Sequence, residues 1–567
     1  MDNELYKHLA FLYGSDRSAD LYQRLENIIS QFQSHHLQLE SLYKERLSEQ
    51  DAVLITYGDM VQAAGEPPLH TLADFLSAHI TNLISTVHLL PFYPYSSDDG
   101  FSVIDYRAVD PHLGTWDDVA QMGRSFRLMF DAVINHISAQ SAWFREFLRG
   151  NGRFQDYFIT IDPATDLSQV FRPRTLPLLT EVETAVGRQH VWTTFSSDQI
   201  DLNYANPDVL LTIIDLLLFY VAQGAELIRL DAIGFLWKEI GTTCLHLPQT
   251  HRAIQLMRHV LDRTAPSTVL ITETNVPHAE NIAYFGDGSN EAQMVYNFPL
   301  PPLMLHAFHN GSAETLSRWA TTLELPSDEV TFFNFLASHD GIGLTPARGI
   351  LSETAVANIV QRVQQLGGYV SFKNNPDGSE SAYELNINYL DALRNPGEDE
   401  PIELVARRFL AAQAIMLALR GVPGIYFHSL FGSQGWPEGV QQSGRNRTIN
   451  RQKLQRRQLE QELADQHTLR HYVFGGYVNL LRQRTTHPAF HPNGGQEVLV
   501  LHPALLTLRR TAPNGTADLL CIHNVANDDV ATTLPPGQFT DLLTHTTYDS
   551  EQRVMIRPYQ VLWLQKK

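Results

Sequence analysis

From residue 51 onward, short apolar runs alternate with longer amphipathic stretches. The runs lie at 53–57, 87–91, 128–133, 227–231, 269–273, 294–298, 332–336 and 422–427. Each has the length and the β-branched or aromatic character of a strand buried on both faces. Stretches with helical spacing, such as 207–223 and 250–263, lie between several of them. Eight such units predict an α/β fold, a (β/α)8 barrel, whose chemistry sits at the C-terminal ends of the strands.

The remaining pattern predicts what surrounds the barrel. Over residues 1–50, Leu21, Leu25, Ile28, Ile29 and Phe32 keep helix spacing, and Leu39 and Leu42 continue it after a break at His35-His36. This reads as a helical extension packed on the main body. Two intervals are too long for a plain strand–helix unit: about 138–205, carrying Phe171-Arg172-Pro173-Arg174-Thr175, and about 345–400, carrying turn chemistry in Asn375-Pro-Asp-Gly378. They read as inserted subdomains, and long loops in a compact barrel are usually functional. Segments 497–502, 517–523 and 553–564 alternate like strands, so a β-sandwich is expected to close the chain. The division is 1–50, a barrel domain over 51–485, and 486–567.

Composition narrows the partners. A net charge of -20 argues against nucleic acid or an anionic membrane as the main partner. An anionic substrate needs a local arginine cluster to overcome that field. Two cysteines, Cys244 and Cys521, offer no disulfide framework and suit a reducing compartment. The acidic start has no signal-peptide core, and the greasiest stretches, 210–221 and 409–419, fall short of the ~20 residues of a membrane span. The expectation is a soluble cytoplasmic protein, a monomer or homodimer acting on small molecules. The 24 histidines show no His-Glu-x-x-His or comparable spacing, so neither a metal nor a cofactor is expected.

Four strand ends carry candidate chemistry: Asp131-Ala-Val-Ile-Asn135-His136, Arg229-Leu-Asp231, Ile271-Thr-Glu273 and His339-Asp340. Arg229 and Asp231, two apart on a strand, point to the same side, where the arginine favours an ionised aspartate. Glu273 ends another run. One ionised carboxylate and one carboxyl that can hold a proton is the equipment of retaining glycoside chemistry.

Together with Gln199-Ile-Asp-Leu-Asn203, these segments resemble, in order, the signature segments of the α-amylase superfamily of glycoside hydrolases. The resemblance narrows to the sucrose phosphorylase subfamily through Pro91-Phe-Tyr-Pro-Tyr, Asp98-Asp-Gly-Phe101-Ser-Val-Ile-Asp105, Arg172-Pro-Arg174, Lys238-Glu-Ile-Gly-Thr-Thr-Cys244, Leu300-Pro-Pro-Leu303, His339-Asp-Gly-Ile-Gly343 and Arg445-Asn-Arg447-Thr-Ile-Asn-Arg451. The N-terminal extension and the Thr175-Leu-Pro-Leu-Leu segment are more similar to the branch acting on glucosylglycerate and glucosylglycerol.

The resemblance implies roles. Asp231 would be the nucleophile and Glu273 the acid and base. Asp340 would grip the sugar's 2- and 3-hydroxyls, with His136 and His339 making hydrogen bonds that strengthen as charge develops. Asp98 and Arg447 would clamp the far hydroxyls, and Gln199 and Phe101 would complete the floor. Arg172 and Arg174 would seat phosphate. Tyr383, Glu384 and Glu380 would meet the acceptor, where an acidic Glu380 would repel glycerate and suit glycerol. The expected reaction is therefore phosphorolysis of glucosylglycerol. Glucosylglycerate, sucrose or sucrose 6'-phosphate as substrate, and plain α-glucosidase activity, remain open alternatives.

Overall fold

The computed structural model describes residues 2–39, 46–174, 176–374, 379–550 and 552–567. Leu42, Thr175 and the 375–378 turn lie outside the described residues. All eight apolar runs are strands, ending within two residues of the expected bounds: β1 (Val53–Thr56), β2 (Thr86–Leu89), β3 (Arg127–Ala132), β4 (Ala225–Leu230), β5 (Val269–Thr272), β6 (Met294–Tyr296), β7 (Thr331–Phe335) and β8 (Val422–Tyr426). They pair in parallel in sequence order and close into a barrel, β8 returning to β1. Six of the eight are buried along their whole length, as parallel strands covered on both faces require; the exceptions are Arg127 at the start of β3 and Glu226 in β4, each part-exposed.

The N-terminal residues form α1 (Asn3–Tyr13) and α2 (Ser15–His35). Asp2 caps α1 by accepting from the Glu4 and Leu5 N–H groups, and Gly14, at φ +83, turns the chain into α2. The apolar stripe Leu21, Leu25, Ile29 and Phe32 is buried against the barrel helices α3 (Pro207–Ala222) and α4 (Pro248–Thr264). Ion pairs Arg263–Glu26 (2.7 Å), His259–Asp2 (2.9 Å) and Arg24–Asp208 (2.5 Å) ring the contact.

Both long intervals fold as inserted pieces. The first holds a helix (Ala142–Leu148), a hairpin of Leu179–Thr184 with Gly187–Trp192, and a short antiparallel pair of His136–Ser138 with Gln199–Asp201. The second holds a helix (Glu353–Gln365) and a hairpin of Tyr369–Asn374 with Glu380–Asn386, to which Ile342–Gly343 adds a third strand.

The C-terminal part is a six-stranded antiparallel sheet with a separate two-stranded pair, Val530–Thr533 and Arg553–Ile556. Strand alternation divides its side chains. Leu506, Leu508, Cys521 and Trp563 join the barrel core, whereas Leu505, Leu520, Ile522, Leu562 and Leu564 form a second core with Val530 and Ile556. No helix among the described residues is long and apolar enough to cross a membrane.

Candidate active site

Parallel register assembles the site. Arg229 on β4 lies opposite Asp131 on β3 and Ile271 on β5. Its buried guanidinium bonds to Asp131, donates to Asp231 Oδ1 at 2.9 Å and lies 3.9 Å from Glu273 Oε2. Asp131 also pairs with His88 of β2 at 2.7 Å. Asp231 and Glu273 are the first residues beyond β4 and β5, and the Ala232 N–H donates to Glu273 Oε2 at 3.0 Å.

One cation therefore serves three carboxylates, and the carboxylates differ in consequence. At Asp131, burial would raise the pKa, but Arg229 and His88 together lower it. At Asp231, burial wins over Arg229 and raises the carboxyl above its ordinary value, aided by Asp131. Arg229 does favour the ionised form, as expected from the sequence, but it shares its charge with Asp131. Glu273 is pushed up to about 7 by burial and by Asp231 and Asp340, against Arg229 and the Ala232 amide. A carboxyl with that value is about half protonated at neutral pH and can both give and take the proton, as a general acid and base must.

The opposite wall comes from β7 and the second insertion. Asp340 pairs with Arg447 at 2.5 Å, and Arg447 holds Glu384 through two bonds of 2.6 and 3.1 Å. Burial would raise Asp340, but Arg447, then His339 and Arg451, hold it well below the carboxylate range. Gly341 permits this approach, since a Cβ there would sit 2.5 Å from Glu384 Cγ and 2.6 Å from the Leu385 carbonyl. The Phe101 ring stacks on His339 at 4.7 Å, and the Phe101 carbonyl accepts from both His136 Nε2 and Gln199 Nε2 at 2.9 Å.

One pocket is lined by Asp231, Glu273, Asp340, Asp98, Phe101, His136, Gln199, His339, Arg447, Arg174, Tyr383 and Glu384. Most of the expected site is thus brought together, with Arg229 directly beneath it. Two expected residues are not. Glu380 starts the outer end of its hairpin strand, opposite Asn374, and is exposed away from the pocket. Arg172 turns its guanidinium onto the Leu176 carbonyl and braces its own loop. Glu384 also differs from expectation: it is buried as the partner of Arg447, leaving Tyr383 as the hairpin's hydroxyl in the pocket, its own ionisation pushed up to about 12 by burial and Glu384. Arg447 in turn faces two carboxylates as well as the pocket.

Several site residues had no assigned role in the sequence. Tyr57, at the end of β1, meets His339 edge-on at 6.0 Å. Arg451 ties Asp99 at 2.8 Å and donates to the His339 carbonyl at 2.9 Å. Phe171 and Phe195 wall the mouth. Arg451 stands in a quoted motif; the aromatic residues carry no sequence signal that separates them from core.

Comparison with known proteins agrees with this geometry. The α-amylase catalytic domain model matches residues 80–344. A glucosylglycerate phosphorylase from Allomeiothermus silvanus is 50% identical over 566 residues, covering 99% of this chain and 98% of that protein. The chain belongs to the α-amylase family. Within it, the chain is a glucosyl phosphorylase of the sucrose phosphorylase type. A second glucosylglycerate phosphorylase, from Escherichia coli, is 45% identical over the whole of both chains. A glucosylglycerol phosphorylase from Marinobacter adhaerens is 26% identical, covering 77% of this chain and 87% of that protein. The sucrose 6F-phosphate phosphorylase structure from Thermoanaerobacter thermosaccharolyticum shares the phosphorylase's fold, with a TM-score of 0.72 at 24% identity over 90% of this chain and 98% of that one.

The raised Glu273 carboxyl makes a stability prediction for this phosphorylase. Its ordinary value of 4.5 applies unfolded and about 7 folded, so between those values the folded state binds more proton. Stability contributed by this group therefore falls as pH rises from 4.5 to 7. Glu273→Gln is expected to raise the melting temperature by roughly 1–3 °C at pH 8 and to leave it unchanged at pH 4, read by calorimetry.

Proposed function

We propose that the enzyme reversibly converts glucosylglycerate and phosphate into α-glucose 1-phosphate and glycerate. The observation that carries this reading is the full-length likeness to two glucosylglycerate phosphorylases at 50% and 45% identity, against 26% for a glucosylglycerol phosphorylase. The site supports it. The argument for glycerol rested on Glu380, which lies outside the pocket. Arg174 lines the pocket with its guanidinium 5.9 Å from the Phe195 ring and, among the described residues, has no carboxylate partner. It is a free cation where an anionic acceptor must sit.

In this reading Asp231 attacks the anomeric carbon while Glu273 protonates the oxygen leaving as glycerate. The product is a β-glucosyl ester on Asp231. Phosphate then enters the vacated place against Arg174, attacks the same carbon with Glu273 as base, and leaves as α-glucose 1-phosphate with configuration retained. Asp340 and His339 hold the sugar hydroxyls, Phe101 and Gln199 support the floor, and Asp98 with Arg447 meets its far edge.

The test is phosphate release from α-glucose 1-phosphate with glycerate, glycerol, fructose or water as acceptor. Glycerate is expected to be fastest; stimulation by glycerol and not by glycerate overturns the reading. Arg174→Ala is expected to raise KM about 10- to 100-fold for phosphate and for glycerate, since a charge-assisted hydrogen bond contributes about 1.5–3 kcal/mol. Transfer to water should change little. An unchanged KM for both anions removes Arg174 from the acceptor site.

A further inference from the structure

Behind His136 lies a buried ion pair that the reaction does not use directly. Lys238, in the segment that follows β4, is buried and donates to Asp201 Oδ2 and to Asn135 Oδ1, both at 2.7 Å. Asp201 is otherwise satisfied by the Thr194 N–H at 2.8 Å and hydroxyl at 2.7 Å. Asn135 Nδ2 faces Asp201 Oδ2 and His136 Nδ1, each at 3.2 Å.

The donor and acceptor logic leaves one arrangement. An ammonium only donates, so the Asn135 atom that meets Lys238 is its carbonyl oxygen, and the amide cannot flip while Lys238 is charged. The NH2 that then faces His136 also only donates, so Nδ1 must accept. The ring proton is therefore on Nε2, which donates to the Phe101 carbonyl at 2.9 Å beside the parallel donation from Gln199. The other groups facing His136 are the Gln199 Nε2, 3.2 Å from its Nε2 while donating to the Phe101 carbonyl, the Phe195 ring at 5.4 Å and the Asp231 carboxylate, which interacts with it electrostatically; Asp98 lines the same pocket.

We infer that Lys238 is a positioning residue which, through Asn135, locks His136 in the tautomer bearing its proton on Nε2. The lock fixes the Phe101 carbonyl and so the ring that stacks on His339. A proton on Nδ1 would point at an amide NH2, a contact between two donors. An imidazolium there would stand beside the positive charge that develops on the sugar ring and oppose it. The inference rests on the reading that the glucosyl unit occupies the pocket lined by His136.

Arsenolysis of α-glucose 1-phosphate tests it, because arsenate takes the glucosyl group without glycerate or glycerol and the result is independent of the acceptor named above. Asn135→Asp replaces the NH2 by a carboxylate oxygen of the same shape and invites a proton onto Nδ1. It is expected to add an acid limb that the wild type lacks, so that kcat/KM falls about 10-fold more than in the wild type between pH 7.5 and 5.5. Lys238→Met removes one of the two holds on the amide, leaving only the donation from Nδ2 to Asp201 Oδ2, and should show the same limb in weaker form. Profiles of wild-type shape in the variants, at whatever height, overturn the lock. In the wild-type enzyme, a 15N spectrum of ring-labelled histidine, with His136 assigned by its loss in His136→Gln, should show a bare Nδ1 and a protonated Nε2. A protonated Nδ1 overturns the inference even if neither variant folds.

Discussion

Asp231→Asn is expected to lower kcat for phosphorolysis on the order of 10^4-fold or more, the scale on which loss of a nucleophile falls. The argument is local. Asparagine keeps the shape of the side chain and can still accept from Arg229, which reaches Oδ1 at 2.9 Å. It cannot form a glycosyl ester. The protein should stay folded, because the substitution relieves the crowding of three acidic side chains about a single guanidinium. Initial rates of glucose 1-phosphate formation measure the effect. A second arm reads stereochemistry: Asp231→Gly with azide should give β-glucosyl azide from the α-linked donor, since the small anion enters from the face the carboxylate vacates. A variant within 10-fold of wild type, or an α-azide, would remove Asp231 from the role of nucleophile.

Glu273→Gln should show the second-largest effect, and a selective one. General acid catalysis contributes typically 10²–10⁴-fold, and it matters most when the leaving group is a poor one. In the proposed reaction glycerate would leave as an alkoxide and needs the proton; fluoride does not. The variant is therefore expected to lose about 10³-fold in kcat/KM on the glucosylglycerate donor and far less in forming the glucosyl-enzyme from α-glucosyl fluoride. The pH dependence has a defined sign. With the carboxyl at about 7, the protonated form disappears as pH rises, so wild-type kcat/KM should fall on the alkaline side of pH 7. In Glu273→Gln that limb should vanish. Equal losses on both donors, or an alkaline limb that survives, would assign the proton to another group.

The barrel was legible because its eight strands are buried on both faces and so appear as uninterrupted apolar runs, free of the ambiguity that half-exposed strands bring. Asp231, Glu273 and Asp340 were legible because each follows such a run. Two things were not. The sequence shows Arg229 next to Asp231 but not Asp131 across the register at the same guanidinium, so the sharing of that cation was not visible. In the second insertion, side-chain direction alternates along a hairpin whose register no local pattern fixes. Glu380 and Glu384 are equally plausible acceptor residues in one dimension, yet one is exposed at the outer end and the other is buried against Arg447. The acceptor assignment followed the wrong carboxylate.

The chain of Asp340, Arg447 and Glu384 bears on how new acceptor specificities could be engineered into this enzyme. The hairpin that faces the acceptor carries the counterion of an arginine on the sugar-binding wall. A grafted hairpin that lacks a carboxylate at position 384 would strand Arg447 with Asp340 as its ion-pair partner and draw it more tightly onto that residue, which the sugar needs free. The hairpin and residue 447 form one exchangeable unit, and a graft that moves one without the other should lose the donor before it gains an acceptor.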